Sequence, residues 1–142
     1  MLKISPDINE DDTSEIVDVI LKNSVSAIVL TNTTNSNRDN LKDKAKHESG
    51  GLSGEPLQQI STNMIKKFYK LLNGKIPIIG VGGINSGKSA YEKIIAGASL
   101  LQLYTGFVYR GPSTLKDIKK ELIQILKAEG LNNIKEAIGK DA

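Results

Sequence analysis

The sequence contains no cysteine and no tryptophan, and it has a single histidine. The absence of cysteine excludes disulfide bonds, thiol nucleophiles, and zinc or iron–sulfur sites that depend on cysteine ligands. His47 lies in a charged stretch without an acidic or hydroxyl partner at a recognisable spacing, so we expect a surface residue rather than a catalytic one. Because no cluster of histidine and cysteine residues exists, no metal site is predicted.

Long apolar runs and a strong charge excess are also missing. The longest apolar stretches, residues 76–84 and 96–103, are far shorter than the roughly 20 residues that a membrane helix needs. The first residues lack the apolar core of a secretory signal. The 19 basic and 16 acidic residues are interleaved, which predicts no nucleic-acid partner. The remaining composition, with 39% hydrophobic and 25% charged residues, is typical of a globular domain.

The periodicity of the chain predicts strands and helices in strict alternation. Apolar, β-branched runs predict buried strands at residues 2–5, 26–31, 75–83 and 99–105. Helical spacing of apolar residues predicts helices at residues 12–23, 57–72, 86–96 and 113–129, and a short one at 132–138. The predicted caps are Asp12 or Thr13 for the first helix and Ser113 or Thr114 for the last long one.

This alternation predicts an α/β fold with a parallel sheet and right-handed crossovers. The four βα units amount to half of a (β/α)8, or TIM, barrel, which needs about 250 residues. We therefore expect residues 1–142 to form a partial domain, the C-terminal half of such a barrel. A small open doubly wound sheet is the alternative that the pattern alone leaves open.

Polar and glycine residues follow the predicted strands. The glycines at 80, 82 and 83 end the third strand, where backbone N–H groups can approach an anion, and Tyr104 and Thr105 end the fourth. Phosphate sites of barrels recur on the loops after the last two strands, so these two ends are expected to converge on one phosphate. A purely structural role for the glycines, and a core-rim role for Tyr104, remain open at this level.

Three further features are candidates for function. Lys3 lies between Leu2 and Ile4 in the first strand, where it either faces a ligand or is a solvated terminal lysine. Residues 31–34 (TNTT) end the second strand and offer hydroxyl and amide groups for a ligand, or merely begin a turn. The polar, glycine-rich stretch up to Pro56 is unusually long for an idle connection and favours an active-site loop.

Five segments in this order and spacing resemble class 2 (quinone-linked) dihydroorotate dehydrogenase. They are KISPD at residues 3–7, VLTNTT at 29–34, ESGGLSG at 48–54, PIIGVGG at 77–83 and LQLYT at 101–105. The TNTT element and the GGLSG loop resemble class 2 rather than the soluble class 1 enzymes. The likeness covers the whole chain but only about the last two fifths of the family's length.

The resemblance implies FMN as the cofactor and assigns roles by position. Lys3 matches the lysine that faces the flavin, and Thr31, Ser53 and Gly54 match other FMN contacts. Gly82, Gly83, Tyr104 and Thr105 match the cradle of the FMN phosphate, and Asn32 and Thr33 match the groups that hold dihydroorotate. No catalytic residue is assigned, because the family's base, a serine, belongs to the half that precedes Lys3.

The implied activity is the oxidation of dihydroorotate to orotate, with a ubiquinone-type acceptor, in de novo pyrimidine (UMP) biosynthesis. The resemblance also implies that the full-length enzyme sits peripherally on the cytoplasmic side of the membrane. For this chain, a complementary N-terminal half of the barrel is the expected partner, since four strands alone leave an open edge and an apolar inner face. The alternative is a non-catalytic remnant, or a half-barrel that binds FMN only with a complementary chain.

Overall fold

The protein is described by a computed structural model that covers residues 1–36 and 38–142. Its strands are β1 (Leu2–Ile4), β2 (Ile28–Leu30), β3 (Ile78–Val81) and β4 (Ala98–Gln102). Its α-helices are α1 (Asp12–Lys22), α2 (Gln58–Leu72), α3 (Gly87–Ile95), α4 (Thr105–Arg110) and α5 (Ser113–Ala128). Short 3-10 helices span Lys44–His47, Glu55–Leu57 and Ile134–Ala137. Every strand and helix predicted from periodicity is confirmed, with ends that differ by a few residues.

The four strands form one parallel sheet in the order β1-β2-β3-β4. The register places Lys3, Val29, Ile79 and Leu100 side by side in one row across the sheet. A doubly wound sheet requires the strand order to reverse, and here it runs in sequence order. The open doubly wound alternative is therefore wrong, and the sheet has the sequential order of a barrel segment.

The main core lies between one face of the sheet and helices α1 and α2. The helix-facing residues Ile28, Leu30 and Ile78 are fully or almost fully buried. They pack with buried residues of the two helices, which are Val17, Ile20, Met64, Ile65, Phe68 and Leu72. A second apolar layer joins α3 to α5 through Ala90, Ile94 and Ile118. The described helices therefore cover this face of the sheet, which we call the outer face.

The inner face of the sheet is covered by no helix of the described residues. Val29 and Ile79 are nevertheless only 5% and 7% exposed, because they pack against each other, Ala27 and Val81 on the concave surface. Leu100, next in the same row on the last strand, is 62% exposed. The expected open edge is present on both sides of the described sheet, at β1 and at β4. In this row, the apolar side chain that is largely exposed is therefore Leu100, at the β4 edge.

Two capping predictions are wrong. In the described part of the chain, no side chain caps α1 or α5, whose N-cap residues are Asp11 and Pro112. Thr13 and Thr114, two of the expected caps, are instead buried inside the first turns of these helices. The predicted end of the second long helix is confirmed, because Asn73 adopts the left-handed conformation that ends α2. Gly130 has a positive φ of 69°, as expected for the residue that ends α5.

Candidate functional site

A depression lies at the carboxyl ends of the four strands, the end at which barrel enzymes bind their ligands. All ten predicted site residues line it: Lys3, Thr31, Asn32, Thr33, Ser53, Gly54, Gly82, Gly83, Tyr104 and Thr105. Leu57, Val81, Ile84, Gln102, Leu103 and Gly106 complete the lining. Its volume is about 120 Å³. Pockets for small molecules usually hold about 300 Å³ or more, so the depression is one wall of a site rather than an enclosed site.

The first part of this wall comes from β1 and the end of β2. Lys3 is paired with Val29 inside the sheet and is exposed toward the depression, so it is not a frayed terminal lysine. The backbone N–H of Thr31 donates to the Val81 carbonyl at 3.1 Å, and the backbone N–H of Asn32 donates to the Ile4 carbonyl at 2.9 Å. These bonds fix the backbone, so the exposed side chains of Asn32 and Thr33 are presented from a rigid base.

The hydroxyl of Thr31 is unusual because it is buried without a partner. Thr31 is 2% exposed, and within the described residues its Oγ1 makes no hydrogen bond. Thr114 is the other residue with such a hydroxyl, but it lies at the start of α5 and does not line the depression. Buried hydroxyls are normally paired, since an unpaired one costs about 1–3 kcal/mol. A ligand atom in the depression would supply the missing partner for Thr31.

The glycine pair after β3 is shaped by the start of α2. Gly82 and Gly83 have φ of +118° and +70°, a region that residues with a Cβ rarely adopt. A Cβ at Gly83 would lie 2.7 Å from Cα and 2.9 Å from N of Gln58. At Gly82 a Cβ would lie 3.1 Å from the Leu57 side chain and 3.2 Å from that of Ser61. Only glycine therefore allows this loop to lie directly on the first turn of α2.

The N-terminus of α3 is already satisfied by protein groups. Ser86 and Ser89 form a capping box, in which the Ser86 hydroxyl accepts from the Ser89 N–H at 3.2 Å. The Gly87 N–H donates to Oε2 of Glu121, on α5, at 2.5 Å. The sequence offered two features for binding an anion, which are the glycine backbone and the N-terminus of the helix that follows it. Protein oxygens already accept from N–H groups at this helix N-terminus, so the glycine backbone is the feature that remains for a ligand.

A short helix missed by the sequence analysis lies beside the glycine pair instead. Helix α4 begins at Thr105, directly after β4, and Tyr104 at its N-cap makes no side-chain capping bond. The first N–H groups of a helix have no acceptor within the helix, so those of Thr105 and Gly106 are available to a ligand. A Cβ at Gly106 would lie 2.5 Å from the Ile84 carbonyl, so this helix touches the loop after β3. Barrel phosphate sites often combine these loops with a short extra helix.

Hydrogen bonds link the loops at the carboxyl ends of the strands, which we call the rim. The carboxylate of Asp7, after β1, accepts from the Thr34 hydroxyl at 2.5 Å and from the Asn35 N–H at 2.7 Å. Thr34 in turn exchanges two backbone bonds with Leu52, and the Ser53 and Thr105 hydroxyls are 3.0 Å apart. The long connection after β2 therefore returns to the rim and delivers Ser53 and Gly54, as an active-site loop would.

Asp7 was not singled out from the sequence. Burial raises its pKa, but the hydrogen bonds from Thr34, Asn35 and Ser36 outweigh this effect and hold the pKa below its ordinary value. The carboxylate is therefore charged at neutral pH and anchors the loop that carries Asn32 and Thr33. Its partners are 27 to 29 residues away in the chain, so no local signal could have revealed the contact.

His47 lies outside the depression. It ends the 3-10 helix Lys44–His47 in the long loop and is exposed, as expected for a surface residue. Among the described residues, no group of three or more histidine, aspartate or glutamate side chains is placed to hold a metal ion. A search of the described helices also finds none with the length and apolarity required to cross a membrane.

Comparison with known proteins identifies the family. The family model described as "Dihydroorotate dehydrogenase" matches residues 1–126. The chain belongs to the dihydroorotate dehydrogenase family. It is 46% identical over 142 residues to "Dihydroorotate dehydrogenase (quinone), mitochondrial" of Arabidopsis thaliana, covering 99% of this chain and 31% of the relative. It is 50% identical over 118 residues to "Dihydroorotate dehydrogenase (quinone)" of Shewanella woodyi, covering 82% of this chain and 34% of the relative.

Solved structures of dihydroorotate dehydrogenase share the fold. A ligand-free crystal structure of the enzyme from Eimeria tenella superposes with a TM-score of 0.94 and 42% identity, covering 98% of this chain and 39% of that one. The resemblance to the quinone-linked class and the expected fold, four βα units of a TIM barrel, are both confirmed. The chain spans about a third to two fifths of the length of the curated relatives that it matches.

Proposed function

We propose that this chain forms the flavin-phosphate and dihydroorotate wall of a quinone-linked dihydroorotate dehydrogenase, which oxidises dihydroorotate to orotate in de novo pyrimidine biosynthesis. One observation carries the proposal. The ten residues assigned by resemblance come from all four βα units, and they line a single depression at the carboxyl ends of the strands. Residues so far apart in sequence would not meet there if the segments only resembled the family by chance.

FMN fits the chemistry of this depression. The glycine pair and the start of α4 offer backbone N–H groups for a phosphate. Among the residues that the structure describes, the Thr31 hydroxyl has no partner, and a flavin heteroatom can supply one. Lys3, on the inner face, adds a positive charge that would stabilise a reduced, anionic flavin ring. When bound, FMN supplies the hydride acceptor for the oxidation, and the protein supplies orientation and electrostatics.

Asn32 and Thr33 are proposed to hold the substrate. Their side chains are exposed into the depression, while the Asn32 backbone is fixed by its bond to Ile4. A primary amide both donates and accepts, and a hydroxyl does the same, so together they match the cyclic amide and the carboxylate of dihydroorotate. Gly51 packs against the Thr33 hydroxyl and fixes that side chain, since a Cβ at Gly51 would collide with it.

The opposite wall is proposed to come from the complementary N-terminal half of the barrel. The depression is too small and too open to enclose a flavin, and both edge strands of the described sheet are free to pair. That half would supply the base, a serine in the family, that takes the proton from the substrate. We also place the quinone-binding and membrane-docking helices of the enzyme in that part of the protein.

The test uses a complemented preparation, which we define as this chain produced together with the upstream barrel half. Asn32→Ala and Thr33→Val are expected to lower dihydroorotate-dependent quinone reduction by at least about 10-fold, because each removes a substrate contact worth on the order of 1.5 kcal/mol. FMN content should stay within about twofold of the unmodified protein. Asn40→Ala, at an exposed turn of the long loop, is the matched control with unchanged activity.

The outcome separates the proposal from the remnant alternative. Activity that falls in the two site variants but not in the control supports a substrate wall. A complemented preparation that binds FMN yet shows no dihydroorotate oxidation would favour the non-catalytic remnant. Equal loss in all three variants would contradict the assigned roles of Asn32 and Thr33.

A further inference from the structure

Lys93, in α3, is a buried charge that none of the roles above uses. Its side chain is 0% exposed, and within the described residues it forms no ion pair. The ammonium Nζ donates to the Gln58 carbonyl at 3.2 Å and to the Thr62 hydroxyl at 3.1 Å. Both acceptors lie in the first turn and a half of α2, so the lysine bridges α3 to the start of α2.

Such a lysine is costly for the fold. Moving an ammonium group out of water is unfavourable, and two neutral acceptors compensate only in part. Burial lowers the pKa of Lys93 to about 8, an effect that the neighbouring Glu92 carboxylate partly opposes. An apolar side chain of similar length at this position is therefore expected to stabilise the apoprotein, or at least not to harm it. The buried charge therefore indicates a role other than stabilising the fold.

The position of Lys93 suggests that use. Gln58, whose carbonyl accepts from Lys93, is the residue whose backbone contacts Gly83. The side chain of Ser61, one turn further along α2, donates to the Val81 carbonyl at 2.6 Å. The aliphatic part of Lys93 lies behind Gly80, where a Cβ would be 3.3 Å from its Cδ. The lysine thus lies behind β3 and is linked to the glycine pair through Gln58.

We propose that Lys93 is a positioning residue whose buried charge holds the first turn of α2 against the glycine pair and favours the phosphate of FMN over uncharged riboflavin. The inference rests on the proposed function, since it concerns the same depression. Electrostatic attraction is strong here because the lysine side chain is fully buried, where effective screening is several times weaker than at the surface. Gly82 and Gly83 line the depression and Lys93 does not, so Lys93 would act through Gln58 and the glycine pair and not by direct contact.

The pH dependence follows from the groups around the ammonium. Glu92, on its own helix, is the charged neighbour that affects its pKa, and α2 and β3 contribute the neutral Gln58, Thr62 and Gly80. The lysine loses its proton as the pH rises through its pKa, so the preference for FMN over riboflavin should fall between about pH 7 and about pH 9.5. A lysine that merely filled space would leave this preference flat.

The experiment measures the affinities of FMN and riboflavin in the complemented preparation by flavin fluorescence, together with the thermal stability of the apoprotein. Lys93→Met removes the charge and keeps the length, and we expect FMN affinity to fall on the order of 10-fold. Riboflavin affinity should change by less than about twofold, and apoprotein stability should be equal or higher. Lys93→Gln, which keeps a hydrogen-bond donor without the charge, should lose the same preference.

Lys88→Met is the matched control, because Lys88 is an exposed lysine in the same helix. It should leave both affinities within about twofold, since exposed charges are screened. A loss of FMN and riboflavin affinity in parallel, or no change in either, would overturn the role of Lys93 and leave the proposed function intact. If the unmodified protein bound neither flavin, the proposed function would fail, and this inference with it.

Discussion

The outer face of the sheet and the rim at its carboxyl end are built on different principles. The outer face is closed, with apolar residues such as Ile28 and Phe68 at 0% exposure under two helices. The rim consists of polar and glycine residues, held by bonds such as those of Asp7 to Thr34 and Ser53 to Thr105. The comparison teaches that stability and chemistry are largely separated in this chain, so a change on one side should leave the other largely untouched. The proposed role of Lys93, which is buried between α3 and the start of α2, is the exception.

The largest effect is expected on the outer face. Phe68→Ala should lower the free energy of unfolding of the complemented preparation by about 3–5 kcal/mol, because it leaves a cavity in the main core. Val19→Ala, at an exposed apolar residue of α1, is the control and should cost less than about 0.5 kcal/mol. Denaturant titration measures both. If the Phe68 variant lost flavin affinity without losing stability, the separation of the two regions would be wrong.

The next effect should fall on the rim. Gly83→Ala brings a Cβ against the Gln58 backbone and should lower FMN affinity by at least about 10-fold, measured by fluorescence titration. Gly74→Ala is a close match, because Gly74 has the same φ of +70° with open space around its would-be Cβ. It should cost about 1 kcal/mol of stability and leave FMN affinity unchanged. Equal affinities in the two variants would show that the glycine loop does not contact the cofactor.

The smallest effect concerns Asp7. Its folded pKa lies below its unfolded value, so its contribution to stability is present above pH 3.8 and is lost as the pH falls through the folded pKa. Asp7→Asn should therefore remove part of the stability loss on acidification and cost at most about 1 kcal/mol at pH 7, since Asp7 is exposed. It should also raise KM for dihydroorotate more than it lowers kcat. An unchanged KM would mean that the rim bonds do not position Asn32 and Thr33.

The outer face was the part of the fold that the sequence predicted well. The apolar runs at residues 26–31 and 75–83 contain the strands β2 and β3, of which residues 28–30 and 78–80 are buried, and helical spacing marks the faces of the helices that cover them. Helix α4 was missed because it has no buried stripe: Phe107, Val108 and Tyr109 are all exposed. Its first residue, Thr105, was taken as the end of the predicted strand at residues 99–105, and residues 106–110 were assigned to no element.

The rim was predicted partly from the residue pattern and partly from the resemblance. Gly82, Gly83 and Thr105 were expected to converge, and they do line one depression. Asp7 and Lys93 were overlooked because their partners lie 27 and 35 residues away, so their roles depend on contacts that no local pattern encodes. Caps at Thr13 and Thr114 were expected because of residue type, but tertiary burial overrides that preference.

The most direct test of the account is flavin retention by this chain, purified alone and together with the upstream barrel half. The account predicts that the complemented preparation retains close to one FMN per chain and oxidises dihydroorotate with a quinone. The chain alone should bind FMN far more weakly, because only one wall of the site is present. Full retention and turnover by the chain alone, or no flavin in either preparation, would contradict the account.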